Sequence, residues 1–261
     1  MTDDLTGHRA LVTGGGAGIG AAIVRCLAAR GARVAVLDRD PEGAREVADE
    51  VGGRAIAVDV TDSAATGAAV DEAAEVLGGL TDVVANAGIG RNKPLHQYTD
   101  DEWRLVVGVN LDGTFHTLRA AIPHLLAGGG GSIVTIGSLN ASRPLQGEAP
   151  YNAAKAGVVA LTRTIALEYA PTIRANCVSP GMIATGLTSV ITEDPAFTTV
   201  AEEGTPLRRI GTPDDVAGVV AFLCSDAAAY LTGQELVVDG GAGLPNLQAD
   251  AIVRAVRERF S

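Results

Sequence analysis

Short runs rich in β-branched residues alternate with longer helical patterns along nearly the whole chain, and no other feature narrows the fold as much. RALVT (9–13) reads as a buried strand, and GIGAAIVRCLAARG (18–31) as the helix that follows. Ile19, Ile23, Cys26 and Leu27 share one face of that helix, and Gly31 stops it. The strand pattern returns in RVAVLD (33–38), RAIAVDV (54–60), DVVANAG (82–88), SIVTIGS (132–138), IRANCVSPG (173–181) and ELVVDGG (235–241). Helical stretches cover 41–51, 63–77, 101–127, 151–170 and 213–224. Alternation of this kind predicts right-handed βαβ units and a parallel sheet. No Pro- or Ser-rich linker breaks it, so residues 1–261 read as one domain. Aromatics make up only 3% of the chain, which leaves Ala, Val, Leu and Ile to build the core. The rhythm fails over 182–212. A long segment without a period predicts a substrate lid, placed at about 186–207, with a tolerated surface insertion as the alternative.

LVTGGGAGIG (11–20) puts glycines at the first strand-to-helix turn. Gly14 and Gly16 suit a tight turn that a Cβ would hinder. Gly18, Ile19 and Gly20 open the helix, where free N–H groups and the helix dipole favour a pyrophosphate. A Gly-rich turn alone is weak evidence, but this one has a strand before it, a helix after it and Asp38 at the end of the next strand. A carboxylate there can accept hydrogen bonds from both hydroxyls of an adenosine ribose and repels a 2′-phosphate. The expected cofactor is therefore NAD rather than NADP, although the neighbouring Arg39 could attract that phosphate. Asp59 and Val60, after the third strand, are placed to meet the adenine. Asn86, Ala87 and Gly88 end the fourth strand on the same edge, where ligands of such sheets lie.

Tyr151 and Lys155 stand four residues apart in YNAAK, one above the other on a helix face. Lys155 is one of only two lysines in the chain. A free phenol ionises near pH ~10, and an adjacent ammonium favours the phenolate. Lowering the pKa by about three units takes about 4 kcal/mol of differential interaction. A compact ammonium can face a phenol and a cofactor ribose together, which a planar guanidinium does less easily. Ser138, at the end of the fifth strand, can hydrogen-bond a carbonyl or alkoxide. Asn140, Gln146 and Glu148, between Ser138 and Tyr151, and Leu187 in the lid are expected to line the substrate pocket.

In this order, TGGGAGIG (13–20), NAG (86–88), Asn110, Ser138, YNAAK (151–155) and Pro180–Gly181 resemble the short-chain dehydrogenase/reductase family, of the single-domain type, over about residues 6–241. The resemblance implies a Rossmann-type doubly wound α/β fold with seven parallel strands in the order 3-2-1-4-5-6-7. It implies reversible hydride transfer between NAD and a secondary alcohol or ketone. Tyr151 would be the general acid/base, Ser138 would stabilise the oxygen, and Lys155 would tune the phenol. Asn110, otherwise read as a polar residue at a helix kink, would hold a water of the proton relay. Pro180 and Gly181 would shape the turn beside the nicotinamide, with Ile183 and Thr185 contacting its carboxamide. The resemblance also implies a homotetramer through the 151–170 and 101–127 helices. Ala153, Ala156, Gly157, Ala160 and Thr164 form a stripe of small residues there, for which packing inside the monomer is the alternative. Ala85 departs from the family pattern, and about twenty residues (242–261) extend past the last strand. Ile252, Val256 and Phe260 in that extension have helical spacing.

Two rivals bear on function. A 3-oxoacyl-(acyl carrier protein) reductase would use Arg91, Lys93, Arg143, Arg208 and Arg209 as a cationic entrance, although Asp38 argues against its usual NADPH. A non-catalytic redox sensor needs no Ser–Tyr–Lys set. The net charge of −11 argues against nucleic acid or an anionic membrane as partner. No apolar run reaches the ~18 residues of a membrane span, and the N-terminus lacks a signal pattern, so a cytoplasmic protein is expected. Cys26, Cys177 and Cys224 lie far apart in apolar runs and read as buried small residues. His8, His96, His116 and His124 show no metal-ligand spacing, and the last two are expected on a helix surface.

Overall fold

The computed structural model describes residues 4–192, 194–244, 253 and 259. The β-branched runs become seven strands: β1 (Arg9–Thr13), β2 (Arg33–Asp38), β3 (Arg54–Ala57), β4 (Asp82–Ala85), β5 (Gly131–Ile136), β6 (Ile173–Pro180) and β7 (Glu235–Val238). All pair in parallel, in the order β3-β2-β1-β4-β5-β6-β7. The helices between them are α1 (Gly18–Ala29), α2 (Pro41–Val51), α3 (Ser63–Leu77), α4 (Asp100–Val107), α5 (Gly113–Ala127), α6 (Ala149–Tyr169), α7 (Ser189–Thr192), α8 (Pro195–Gly204) and α9 (Pro213–Cys224).

Successive strand residues face opposite sides, so both faces of the sheet are apolar. Val12, Val36, Val84, Val134 and Val178 pack with Ile23, Val24 and Leu27 of α1 and Val216, Val220 and Leu223 of α9. Leu11, Leu37, Val83 and Ile133 pack with Val70 of α3, Leu118 and Leu125 of α5 and Ile165 of α6. Two buried layers on one sheet are what doubly wound means in physical terms.

The structure departs from the sequence pattern in three places. Strands β3, β4 and β7 stop three residues short of their apolar runs at Ala57, Ala85 and Val238. After β4 the reason is local: the N–H groups of Asn86 and Ala87 turn from the ladder to the Thr13 hydroxyl. The helix expected over 101–127 is broken by a π-helical turn at Gly108–Asp112. Asn110 Nδ2 donates to the Val106 carbonyl there, and the hydroxyls of Thr114 and Thr117 donate to Asn110 and Gly113. The 182–212 segment is more regular than its sequence suggests. Asp194 accepts from the Ala196 N–H and starts α8 with Pro195 at its first position.

Candidate active site

All the strands end toward one edge of the sheet, and the Gly-rich turn leaves it first. Gly14 has φ +63°, and a Cβ there would stand 2.8 Å from Ala87 Cα. A Cβ on Gly20 would stand 1.9 Å from the Gly14 carbonyl oxygen, so helix and turn meet backbone to backbone. Asn86 holds this contact: its Nδ2 donates to the carbonyls of Thr13 and Gly14, each at 3.0 Å. Its side chain is thus a clamp between β1 and β4, turned inward.

Helix α1 starts after Ala17 with no side-chain cap and no acidic residue in its first turn. In contrast, Asp40, Asp62, Thr99, Asp194 and Thr212 cap other helices. An uncapped helix start beside crowded glycine backbone fits an anion such as a pyrophosphate. Thr185 reaches across to it: its Cγ2 would lie 3.5 Å from a Cβ on Gly18.

Asp38 ends β2 with both carboxylate oxygens engaged. Oδ2 accepts from the Gly16 N–H at 2.9 Å, and Oδ1 from the Asp40 N–H at 3.0 Å. The carboxylate therefore braces the Gly-rich turn, and its remaining lone pairs can still accept from a ribose. Arg39 is exposed, and its charge is felt at Asp59. Asp59 Oδ1 accepts from the Thr61 N–H and hydroxyl, which holds its carboxyl below the usual range. Val60 packs on Gly113, and its carbonyl meets His116 Nδ1 at 2.9 Å. His116 is thus half-buried rather than on an open helix surface.

Ser138 lies just past β5, where Gly137 is bare because a Cβ would stand 2.6 Å from Ser179 Oγ. Tyr151 occupies the first turn of α6, and Lys155 sits one turn on, 3% exposed. The Lys155 ammonium donates to the Ile136 carbonyl at 2.8 Å and stands 5.6 Å from the centroid of the Tyr151 ring. Burial pushes the lysine down to about 8.

The lowered phenol pKa expected at Tyr151 is not what this geometry gives. Burial raises it, the charge of Glu148 adds to the rise, and a hydrogen bond with the Ser138 side chain opposes them. The reason is orientation: the ammonium faces the ring and gives a hydrogen bond to a backbone carbonyl.

Asn110 is fully buried in the π-turn. Its Nδ2 donates to the carbonyls of Ile89 (2.8 Å) and Val106 (2.9 Å), whereas its Oδ1 has no partner. A Cβ on Gly88 would stand 2.8 Å from that oxygen and 3.5 Å from Lys155 Nζ. Gly88 thus leaves open the space between an unpartnered acceptor and an ammonium. Beyond β6, the Gly181 N–H donates to the Val238 carbonyl, and buried Ile183 pairs with Gly211.

On the substrate side, Asn140 joins two expected residues. Its N–H donates to Ser138 Oγ (3.2 Å) and its Nδ2 to Glu148 Oε2 (2.8 Å). Gln146 is exposed, and its carbonyl accepts from Asn92 Nδ2. The side chain of Leu187 lies outside the described residues, as do Ile252, Val256 and Phe260. Sequence reasoning missed Asn92 and Tyr98. The Tyr98 hydroxyl meets the carbonyls of Arg91 (2.6 Å) and Gly147 (2.8 Å), tying the loop after β4 to the loop before α6. The TD pair at 99–100, which starts α4, was the one local sign that this loop is braced.

A doubly wound parallel sheet with this glycine turn and this Ser–Tyr–Lys cluster defines an oxidoreductase of the short-chain dehydrogenase type. A family model described as enoyl-(acyl carrier protein) reductase matches residues 14–243. The cis-4-hydroxycyclohexanecarboxylate dehydrogenase of Sinomonas cyclohexanicum is 42% identical over 89% of this chain and 95% of its own. Among solved structures, a gluconate 5-dehydrogenase from Burkholderia cenocepacia, in complex with NADP and tartrate, aligns with a TM-score of 0.87 and 37% identity. It covers 92% of this chain and 96% of its own. A 3-ketoacyl-(acyl-carrier-protein) reductase from Brucella melitensis, complexed with NADH, aligns at 0.86 and 36% identity, over 92% of this chain and all of its own. The chain belongs to the short-chain dehydrogenase/reductase family.

Proposed function

We propose that this protein catalyses NAD-dependent, reversible interconversion of a secondary alcohol and a ketone on a small molecule. The observation that carries the reading is Lys155. A lysine buried to 3% exposure, with a backbone carbonyl as its hydrogen-bond acceptor, is costly to the fold. Its place beside Tyr151, Gly88 and the unpartnered Asn110 oxygen supplies a functional reason for that cost.

In this reading Gly14, Gly16, Gly18, Ile19, Gly20, Asp38, Asp59, Val60, residues 86–88, Pro180, Gly181, Ile183 and Thr185 would hold NAD along the sheet edge. Its nicotinamide supplies or takes up the hydride. Tyr151 takes the hydroxyl proton in oxidation and returns it in reduction. Ser138 donates to the substrate oxygen and stabilises its developing charge. Lys155 orients the cofactor ribose, and its ammonium would bias Tyr151 toward the phenolate once swung from the Ile136 carbonyl to the phenol oxygen. The Asn110 oxygen accepts from a water that carries the proton onward. Asp38, by facing the ribose hydroxyls, favours NAD. The 186–207 segment covers the substrate.

The carrier-protein alternative draws less support from the cations expected at the entrance. Arg91 and Lys93 both meet Glu102, and Arg209 is bidentate on Asp215. These pairs neutralise part of the charge, but Arg91 and Lys93 share one carboxylate and Arg208 donates to a neutral carbonyl, so the pull on an acidic carrier is reduced and not abolished. Ala153, Ala156, Ala160 and Thr164 are exposed, so intramolecular packing does not cover the small-residue stripe. Trp103 and Phe115 are partly exposed on α4 and α5. These surfaces support a homotetramer through α4, α5 and α6. No helix among the described residues is long and apolar enough to cross a membrane.

The test is Tyr151→Phe, assayed by NADH absorbance on a panel of secondary alcohols. NADH binding should persist while turnover falls at least about a hundredfold, the low end for general acid–base catalysis. Unchanged turnover refutes the reading.

A further inference from the structure

The half-buried carboxylate of Glu148 stands at the start of α6, three residues before Tyr151. One of its oxygens accepts from Asn140 Nδ2 at 2.8 Å, and Asn140 in turn donates its N–H to Ser138 Oγ. One asparagine therefore spans the distance from Glu148 to the serine that would bind the reacting oxygen.

The position is fixed from behind. The preceding residue, Gly147, has φ +81°, and a Cβ there would stand 2.4 Å from Asn92 Oδ1. Its carbonyl accepts from both the Tyr98 hydroxyl and the Lys93 N–H. Among the described residues no cation pairs with Glu148. Its partners are the amides of Asn140 and Asn92, and burial raises its pKa despite them. An unpaired, partly desolvated carboxylate is costly. Its two oxygens offer about four acceptor sites, more than two amides fill.

We propose that Glu148 is a specificity-determining residue that selects neutral substrates bearing a second hydroxyl near the reacting carbon and excludes alcohols bearing a carboxylate. The proposal rests on the dehydrogenase reading above and names its substrate class. A neighbouring hydroxyl donates to the free carboxylate capacity, a charge-assisted bond in a partly dry site. A substrate carboxylate in the same place meets a like charge. The influence of Glu148 on the Tyr151 phenol shows that its charge is felt at the reacting end of the site.

The test compares matched alcohols with NAD: cyclohexanol, 1,2-cyclohexanediol and 2-hydroxycyclohexanecarboxylate, then 2-butanol, 2,3-butanediol and 3-hydroxybutyrate. For the wild type, kcat/KM should favour each diol over its carboxylate partner by about a hundredfold or more. Glu148→Gln, which keeps the shape and an acceptor for Asn140, should shrink that ratio by at least about tenfold, equivalent to about 1.4 kcal/mol. Most of the change should come from better use of the carboxylates. A wild type that uses carboxylates as well as diols overturns the proposal without need of the variant. An unchanged ratio in a variant that melts normally and binds NADH also overturns it, with the dehydrogenase reading intact. No turnover of any of the six with NAD or NADP overturns the dehydrogenase reading and this proposal together.

Discussion

The Lys155 ammonium faces the ring of Tyr151, 5.6 Å from its centroid, and gives its hydrogen bond to the Ile136 carbonyl. Burial shifts both groups toward their neutral forms, the lysine to about 8 and the phenol upward. For Lys155 the folded pKa lies below the ordinary lysine value of 10.5. The unfolded chain therefore binds the extra proton, and the charged lysine costs the fold about 3 kcal/mol below pH 8. That cost fades as pH rises from about 8 to 10.5. Lys155→Met should remove it at the expense of one hydrogen bond, so urea melts at pH 7 should show unchanged or higher stability. Alcohol oxidation by the same variant should fall at least about a hundredfold, with the residual rate rising toward high pH. A variant both less stable and fully active contradicts the assignment.

Asp38 carries two loads that substitution can separate. It braces Gly16 and Asp40 through their N–H groups, and in the proposed reading it also faces a ribose. Asp38→Asn keeps an acceptor for one brace and removes the charge. It should melt within about 1 kcal/mol of the wild type, one hydrogen bond's worth. Its NAD/NADP ratio of kcat/KM should move at least about tenfold toward NADP. Asp38→Ala should shift the ratio similarly and lose further stability. If neither variant moves the ratio, Asp38 is only a brace.

Much of this site was legible because its signals are local. The glycines at 14–20, the acidic end of RVAVLD and the four-residue spacing of Tyr151 and Lys155 each depend on a few neighbouring residues and on where a strand ends. The sheet order followed from family resemblance, and the structure has that order. What the sequence hid is set by distant partners. Tyr98 reaches Gly147 across 49 residues, and the adjacent TD pair at 99–100 announces a helix start but not that partner. The direction of the Lys155 ammonium depends on a carbonyl 19 residues away. The break at Gly108–Asp112 was legible in part, since Asn110 reads as a polar residue at a helix kink, but its bond to the Ile89 carbonyl, 21 residues away, was not. The Asp194–Pro195 helix start is a local signal inside a segment that carries no longer period.

At the opposite end of the sheet, His8 Nδ1 meets Asp82 Oδ2 at 2.7 Å, and the Asp82 side chain is 2% exposed. The hydrogen bond to Asp82 raises the His8 pKa. A group whose folded pKa is raised contributes stability fully below its unfolded value, near ~6.5, and loses it as pH rises through the folded value. Urea denaturation should therefore show stability falling from pH 6 toward alkaline pH. His8→Gln, which keeps a donor without the titration, should flatten that fall. An equally steep fall in the variant removes His8 as its source.

Arg208 is the only non-glycine described residue with positive φ, at 56°, where the Cβ crowds the backbone. Its side chain offsets part of that strain, because Nη1 donates to the Glu203 carbonyl at 2.7 Å, near the end of α8. Two substitutions separate the terms. Arg208→Ala loses the hydrogen bond and keeps the strain, whereas Arg208→Gly loses the bond and relieves the strain. The glycine variant should therefore be more stable than the alanine variant by about 1 kcal/mol, and close to the wild type. The ordering is opposite to that of an ordinary helix or strand site, where glycine is the less stable of the two. Because Thr205, Pro206 and Leu207 lie against Gly240 and Gly241, both variants also report on how the 186–207 segment is anchored. Alanine more stable than glycine in thermal melts rules out backbone strain at Arg208 as part of that anchor.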